Sequence, residues 1–164
     1  MQKIPFKEVF QAIVDSPNVV SRKPIYEQYD KNVQGKTARE RGCVAAGITT
    51  PFLDFPELAG QAKAGTGVAI GTGGNPYLGR IDAQAAAEYG IATAALKTAC
   101  VGGQFLGATD CLNFGNPEKK HQMGELVSGI EGVKMACTQL DIPIVSGNVS
   151  LYNCLLYTSP SPRD

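Results

Sequence analysis

The clearest pattern in the sequence is the helical spacing of apolar residues between positions 123 and 140. Apolar side chains recur there every three or four residues, at Met123, Leu126, Val127, Ile130, Val133, Cys137 and Leu140. This spacing places them along one side of an α-helix and leaves the polar residues on the other side. Asp141 and Pro143 follow, and we expect them to end the helix.

Two further helices are predicted upstream. The first has its apolar residues at helical spacing, at Phe6, Val9, Phe10, Ile13 and Val14, and Ser16-Pro17-Asn18 is expected to stop it. The second covers Ala83 to Ala99, a stretch dense in alanine, which is the best helix former. Gly102-Gly103 provides the usual signal for its C-terminal end.

Short apolar runs between these helices predict three strands. They cover Gly67 to Ile70, Phe105 to Thr109, and Ile142 with Ile144 and Val145. Strands alternating with helices of this length indicate an α+β fold with layered α/β packing. The polar stretch that contains Lys23 to Tyr26 is expected to be extended, and residues 31–64 show no clear period. We therefore expect a leading helix and extended connecting segment over residues 1–64, and the core of the domain over residues 65–153.

The last eleven residues differ in composition from the rest of the chain. They read CLLYTSPSPRD, from Cys154 to Asp164, and are rich in serine and proline. All of them match the translation of a transposase-adapter sequence used to prepare sequencing libraries. We interpret residues 154–164 as adapter sequence, the alternative being an ordinary disordered tail. Resequencing the locus with a different library chemistry distinguishes the two.

Composition narrows the possible classes of protein. The chain has 164 residues and is 43% hydrophobic, which suits one domain with a core. Its 15 basic and 15 acidic residues give no net charge, whereas a nucleic-acid-binding domain is usually basic. No apolar run is long enough for a membrane span, and residues 1–10 lack a secretory signal. We expect a cytoplasmic protein with reduced cysteines and no nucleic-acid or membrane partner.

The first polar segment with candidate chemistry is TDCLNFGNPEK, residues 109–119. Asp110 is predicted where a strand gives way to a loop, which is the usual position for ligand groups in open α/β sheets. Its carboxylate can accept hydrogen bonds from a nucleotide or hold Mg²⁺. The alternative is a plain helix entry, with Asn116 as the capping residue and Pro117 at the first helical position.

The second polar segment is VSGNVSLYN, residues 145–153. Gly147 lets the backbone approach a ligand closely, Asn148 offers an amide oxygen to a cation, and Ser150 offers a hydroxyl group. Residues 148 and 150 point to the same side if the segment is extended. A β-turn is an equally good interpretation of this segment from the residues alone.

Other candidate groups are weaker. The glycine-rich stretch of residues 65–80 lacks the Walker pattern, so turn scaffolding is favoured over a phosphate site that uses Arg80. His121 is the only histidine and is expected at the surface. The cysteines Cys100, Cys111 and Cys137 are expected to be buried and unreactive, because they stand next to apolar positions.

Taken together, these segments resemble a known enzyme family. TDCLNFGNPEK and SGNVSLYN, with GNPYLGRID and SPNVVSRKPIYEQYD upstream, are similar to the second homologous half of small-type phosphoribosylformylglycinamidine synthase. The resemblance covers residues 6–153. It implies an α+β half-barrel domain similar to the N-terminal domain of aminoimidazole ribonucleotide synthetase.

The resemblance also implies a reaction. That family uses ATP and Mg²⁺ to activate the amide oxygen of formylglycinamide ribonucleotide, and ammonia derived from glutamine then displaces phosphate to give the amidine. The implied partners are the remainder of the synthetase chain, a glutaminase subunit and a small accessory subunit.

Site residues follow from the same motifs. Asp110 and Gly147 match nucleotide-binding positions, Asn148 matches a Mg²⁺ ligand, and Ser150 matches a substrate contact. The catalytic histidines of the family lie in its first half, so no catalytic residue is expected here and this chain alone is expected to be inactive. We expect Asp110 and Asn148 to converge on one magnesium–phosphate ligand.

Two other interpretations stay open at this point. One is a non-catalytic pairing module that completes a barrel and a neighbouring site, which would leave an unpaired sheet edge and favour self-association. The other is an ATP-using relative of the thiamine-phosphate or selenophosphate kinase type, against which the SGNVSLYN segment argues.

Overall fold

The structure is a computed structural model that describes residues 5–17, 19–29, 36–39, 44–52, 55 and 66–152. Its helices are α1 (Phe6–Val14), α2 (Lys23–Tyr26), α3 (Pro76–Gly79), α4 (Ala83–Cys100) and α5 (Lys120–Leu140). Its strands are β1 (Thr37–Arg39), β2 (Gly47–Thr49), β3 (Val68–Ile70), β4 (Ala108–Asn113) and β5 (Ile144–Ser150). The adapter interpretation of residues 154–164 lies outside the described residues.

The three short strands form one antiparallel sheet in the order β1-β2-β3. Gly47 pairs with Ile70 and Thr49 pairs with Val68, while a bulge interrupts the pairing of β1 with β2. Strand β3 was predicted and is confirmed, but β1 and β2 lie in the stretch without a clear period. Each has three residues, which is too short for an alternating pattern to stand out.

Strands β4 and β5 form a separate parallel pair, and α5 connects them along the chain. Asp110 lies opposite Gly147, Cys111 opposite Asn148, and Asn113 opposite Ser150. Parallel neighbours need a crossover connection, and the long helix supplies it. This βαβ unit therefore brings the two polar segments of the sequence onto adjacent strands.

Helices α4 and α5 pack closely against each other. The side chain of Asp82 caps α4 by accepting a hydrogen bond from the backbone N–H of Ala85 at 2.9 Å. A side chain at Gly132 of α5 would meet the carbonyl oxygen of Gln84 and come within 3.0 Å of the Ala87 methyl group. The absence of a side chain at Gly132 therefore sets how near the two helices lie. Both helices also carry small buried residues, among them Ala95 of α4 and Ala136 of α5.

The glycine-rich residues 71–74 lie against α4. Added Cβ atoms at Gly71 and Gly73 would collide with backbone atoms of that helix, at Ala94 and Gly90 respectively. Asn75 then starts α3 by accepting hydrogen bonds from the backbone N–H groups of residues 77 and 78, each at 3.1 Å. The prediction of turn scaffolding for this segment agrees with the geometry.

Three sequence predictions about elements are wrong. The strand predicted from Phe105 to Thr109 runs from Ala108 to Asn113. The strand predicted at Ile142, Ile144 and Val145 runs from Ile144 to Ser150, so the β-turn alternative for residues 145–153 is wrong at residues 146–148. The polar residues of both segments accept the extended conformation because each strand supplies backbone partners to the other. The stretch expected to be extended at Lys23–Tyr26 is a short helix with proline in its first turn.

The predicted α+β class is confirmed, as are helices α1, α4 and α5. Within the part of the chain that the structure describes, no helix combines the length and the hydrophobicity needed to cross a lipid bilayer.

Candidate functional site

The candidate site is built on β4, whose side chains alternate between two environments. Residues 108, 110 and 112 are partly buried on the side that faces α5, and residues 109, 111 and 113 are exposed on the other side. This alternation is the ordinary two-residue period of a strand with one covered face. Asp110 is therefore in the middle of a strand and not at its end, as the sequence had suggested.

On the face toward α5, Asp110 and Gly147 share one small space. A Cβ atom added to Gly147 would lie 2.6 Å from the carboxyl carbon of Asp110. The carboxylate thus extends across the neighbouring strand, over the position where any other residue would have a side chain. In this structure the group that lies close to Gly147 is the carboxylate of Asp110, and the predicted approach of the Gly147 backbone to a ligand stays a prediction.

Asp110 also borders an open cleft of about 720 Å³ between α5 and the strand pair. The cleft is mostly apolar, with Leu112, Val133 and Ile142 among its lining residues. Cys137 lies in the same cleft, and burial raises the pKa of its thiol, with a further increase from the negative charge of Asp110. This side of the strand pair therefore combines a carboxylate acceptor with an apolar wall.

The opposite face of the strand pair is polar. Its side chains come in three opposing pairs, Thr109 with Ser146, Cys111 with Asn148, and Asn113 with Ser150. The hydroxyl group of Ser150 donates a hydrogen bond to Oδ1 of Asn148 at 3.3 Å, which confirms that residues 148 and 150 point to the same side. We call these six residues the polar face.

The predicted site residues are brought together in two pairs and not in one group. Asp110 and Gly147 meet on the face toward α5, whereas Asn148 and Ser150 belong to the polar face. The expectation that Asp110 and Asn148 converge on one ligand is wrong for this geometry, because consecutive strand residues point to opposite faces. Asp110 lies opposite Gly147, the residue directly before Asn148, so the two side chains are close along the strands but separated by the sheet.

The residues that directly follow β4 are hydrogen-bonded to the end of β5 and to the residues just after it. The backbone N–H of Phe114 donates to the carbonyl oxygen of Ser150 at 3.0 Å, and the N–H of Tyr152 donates to that of Gly115 at 3.3 Å. Asn116 accepts a hydrogen bond from the N–H of Glu118 at 2.8 Å, which forms a turn. Helix α5 begins only at Lys120, so Pro117 is not its first residue, and the simple helix-entry interpretation is wrong in that detail.

The weaker candidates also have clear positions. His121 is exposed, and its Nδ1 lies 3.4 Å from Oε1 of Glu125, one helical turn away on the surface. Cys137 is buried as predicted, but Cys100 and Cys111 are exposed, so the prediction of burial is wrong for those two. Cys111 is exposed because it lies on the polar face, opposite to the face that α5 covers.

The extent of the polar face was not predicted from the sequence. Thr109, Asn113 and Ser146 were not singled out, although polar residues occupy every second position in both segments. The polar residues at every second position were the sequence feature that indicates this face. It was not recognised because the first segment was interpreted as a strand end with a loop and the second as a possible turn. Among the described residues, no group of three or more histidine, cysteine or acidic side chains is placed to hold a metal ion.

Comparisons with known proteins point to one family. A family model described as AIR synthase related protein, N-terminal domain, matches residues 58–160. The phosphoribosylformylglycinamidine synthase subunit PurL of Thermomicrobium roseum is 40% identical over 153 residues, which cover 93% of this chain and 20% of the relative.

Solved structures give the same result. The structure of PurLQS from Thermotoga maritima matches with a TM-score of 0.68 and 27% identity, over 82% of this chain and 21% of that chain. The structure of Thermotoga maritima PurL complexed with ATP matches with a TM-score of 0.65 and 26% identity, over 82% of this chain and 20% of that chain. The chain spans about a fifth of the length of these relatives.

Proposed function

Because the chain belongs to the family of AIR synthase related proteins through their N-terminal domain, we propose that it is part of an ATP-dependent phosphoribosylformylglycinamidine synthase of purine biosynthesis. The observation that carries the proposal is the 40% identity to a PurL subunit over 93% of the chain. The parallel pairing of β4 with β5 supports it, since this pairing joins the two segments that carry the resemblance. The kinase-type alternative has no comparable support.

The proposed reaction forms a C–N bond at the expense of ATP. The amide oxygen of formylglycinamide ribonucleotide takes the γ-phosphoryl group of ATP, ADP leaves, and ammonia then adds to the amide carbon and loses a proton. The C–O bond breaks and phosphate leaves, which gives the amidine. Catalysis of such a transfer depends mainly on positioning and on stabilising charge, so binding residues are the ones to seek in this chain.

We assign nucleotide binding to Asp110 and Gly147. The carboxylate of Asp110 is an acceptor, which suits an amino group or a hydroxyl group of a nucleotide and not its phosphates. Its partly buried position beside an apolar cleft strengthens such a hydrogen bond. The ATP bound by Thermotoga maritima PurL is a nucleotide that offers both kinds of donor.

The residues of the polar face fit Mg²⁺ only in part. Mg²⁺ prefers oxygen ligands, and it is usually held by one or two carboxylates together with phosphates and water. Asn148 supplies a neutral amide oxygen, but no carboxylate belongs to the polar face. We therefore propose Asn148 as a single ligand of an ion whose other ligands come from phosphate groups, water and the remainder of the synthase. The ion would neutralise charge on the phosphate groups.

We assign substrate binding to Ser150. Its hydroxyl group donates to Asn148, so one hydrogen bond fixes the orientation of both side chains. This arrangement places a metal ligand beside a substrate contact, on the face of the strand pair opposite to Asp110. The assignment of catalytic histidines to another part of the synthase stays a prediction, as does the cytoplasmic location.

The proposed partners are the remainder of the synthase chain, a glutaminase subunit and a small accessory subunit. The similarity to Thermotoga maritima PurLQS supports a larger assembly. A purely non-catalytic pairing role is less well supported, because Asn148 is exposed and Ser150 half-buried on the polar face, where their oxygen-bearing side chains suit ligand binding.

The test compares this chain alone with the complete synthase that carries it. Only the complete synthase is expected to form the amidine, and it should require ATP, the ribonucleotide and ammonia. Ser150→Ala is expected to raise the KM for the ribonucleotide by about tenfold, the size of one lost hydrogen bond. Gln139→Ala, which removes an exposed amide from α5, is the matched control. A complete synthase with no ATP-dependent amidine formation would disprove the proposal.

A further inference from the structure

Asn113 occupies a position that the resemblance leaves without a role. It is the last residue of β4 and lies directly opposite Ser150 in the parallel pair. The hydrogen bond from the N–H of Phe114 to the carbonyl oxygen of Ser150 fixes the two strands at this level. Neighbouring strands are about 4.8 Å apart, so the side chains of Asn113 and Ser150 begin at the distance that one small ligand group can bridge.

The amide group of Asn113 is held in place through its nitrogen. Nδ2 donates to the carbonyl oxygen of Cys111 at 3.2 Å and to Sγ of the same residue at 3.4 Å, which keeps the side chain along the surface of β4. Among the hydrogen bonds of the described residues, none is donated to Oδ1 of Asn113, and the residue is exposed. An oriented amide with an open acceptor oxygen is suited to binding a ligand.

The charge of the polar face limits what this ligand group can be. None of its six side chains is an aspartate, glutamate, lysine, arginine or histidine. Phosphates are usually bound by arginine, lysine or a helix N-terminus, whereas hydroxyl and amide groups pair with neutral donors and acceptors. The polar face at Asn113 and Ser150 therefore suits a neutral hydroxyl or amide group.

We propose that Asn113 is a substrate-binding residue that acts with Ser150 to hold a neutral hydroxyl or amide group of the ribonucleotide substrate. The inference rests on the proposed function and adds a residue that sequence resemblance did not assign. It follows from the register of β4 with β5, in which Asn113 is the residue of β4 that lies opposite Ser150.

The test uses the complete synthase with Asn113→Ala and Asn113→Asp. The second variant keeps the shape of the side chain but replaces the N–H donor with a charge. Both are expected to raise the KM for formylglycinamide ribonucleotide by about tenfold and to leave the KM for ATP within about twofold. Gln139→Ala should leave both constants unchanged, and circular dichroism should show the same helix content in every variant.

The outcomes separate this inference from the proposed function. If Ser150→Ala raises the KM for the ribonucleotide and neither Asn113 variant does, Asn113 does not bind substrate and the proposed function stands. If both Asn113 variants lose the native helix content, the residue is structural and the inference is overturned. If the unmodified synthase forms no amidine, the proposed function itself fails.

Discussion

The carboxylate of Asp110 fills the space that a side chain at position 147 would need. An added Cβ at Gly147 would lie 2.6 Å from the carboxyl carbon, well inside any normal contact. Glycine in a strand usually weakens it, because it gains no packing and loses more conformational freedom on folding. The steric demand of Asp110 therefore gives a local reason for glycine at 147, and the two nucleotide-site assignments depend on each other.

We predict that Gly147→Ala lowers the free energy of unfolding by about 1–3 kcal/mol, the usual range for an overpacked site. The measurement is urea unfolding of the chain, followed by circular dichroism. Gly47→Ala is the matched control, because Gly47 also lies in a strand but has open space around its added Cβ. That control should be neutral or stabilising by about 0.5 kcal/mol.

The collision predicts coupling between the two positions. Asp110→Ala removes the carboxylate, so adding Gly147→Ala to it should be much less destabilising than adding Gly147→Ala to the unmodified chain. Additive effects in this double-mutant cycle would show that Asp110 is not the group that excludes a side chain at 147.

The buried thiol of Cys137 gives a prediction about pH. Burial, and secondarily the charge of Asp110, raises its pKa, so the folded state favours the neutral thiol. The resulting stabilisation is complete below the ordinary thiol pKa and is lost as the pH rises through the raised value. Near pH 8, iodoacetamide should therefore alkylate Cys137 more slowly than the exposed Cys111, as measured by mass spectrometry of native protein. The prediction would be contradicted if Cys137 and Cys111 were alkylated at equal rates in native protein, provided that these rates differ from those in urea-unfolded protein.

At the scale of single residues, the sequence predicted which residues belong to the candidate site better than it predicted the face of the strand pair on which each side chain lies. Asp110, Asn148 and Ser150 were identified from their segments, but their faces depend on which residues are in strands. When a segment is not interpreted as a strand, the alternation of its side chains between two faces is not taken into account. Asp110 and Asn148 were for this reason expected to bind one ligand. The exposure of Cys111 was missed for the same reason.

At the scale of elements, helices were easier to predict than strands. The apolar stripe of α5 and the alanine content of α4 are local signals, and both helices were found nearly to their ends. Strands β4 and β5 contain few apolar residues on the polar face, and they are stabilised by pairing with each other across a long helix. That partner is distant in sequence, so local composition favoured turns.

The packing of α4 against α5 predicts opposite effects for two glycines of one helix. Gly132→Ala would place a methyl group against the backbone of Gln84, which cannot move aside as a flexible side chain can. We expect it to lower the free energy of unfolding by about 1–3 kcal/mol. Gly124→Ala has open space around the new methyl group and should raise it by up to about 1 kcal/mol. Thermal or urea unfolding measures both, and effects of the same sign would argue against the close helix contact.

At the scale of the whole molecule, the described residues bury little. The buried apolar residues are small or medium in size, namely Ala46, Ala95, Ala136, Cys137 and Ile142. Among the described residues no large side chain is fully buried, while Phe6, Ile81 and Leu106 are each more than four-fifths exposed. The hydrophobic content of 43% is ordinary for a domain with a core and did not indicate the small extent of burial, whereas the half-barrel interpretation did lead to the expectation of self-association. The pattern supports the proposal that this chain is part of a larger synthase, whose other parts would cover these surfaces.

The exposed apolar residues lead to the expectation that the chain self-associates when it is produced alone. Burying one large aliphatic side chain contributes about 1.5–3 kcal/mol. A contact with a second copy of the chain that covers exposed side chains such as Ile81 and Leu106 is therefore favourable. Sedimentation velocity should show oligomers whose share grows with protein concentration. The double variant Ile81→Gln with Leu106→Gln should shift this equilibrium toward the monomer, whereas Gln139→Ala should not. A sharp monomer boundary at all concentrations would mean that these side chains are tolerated in water and that the chain needs no covering partner.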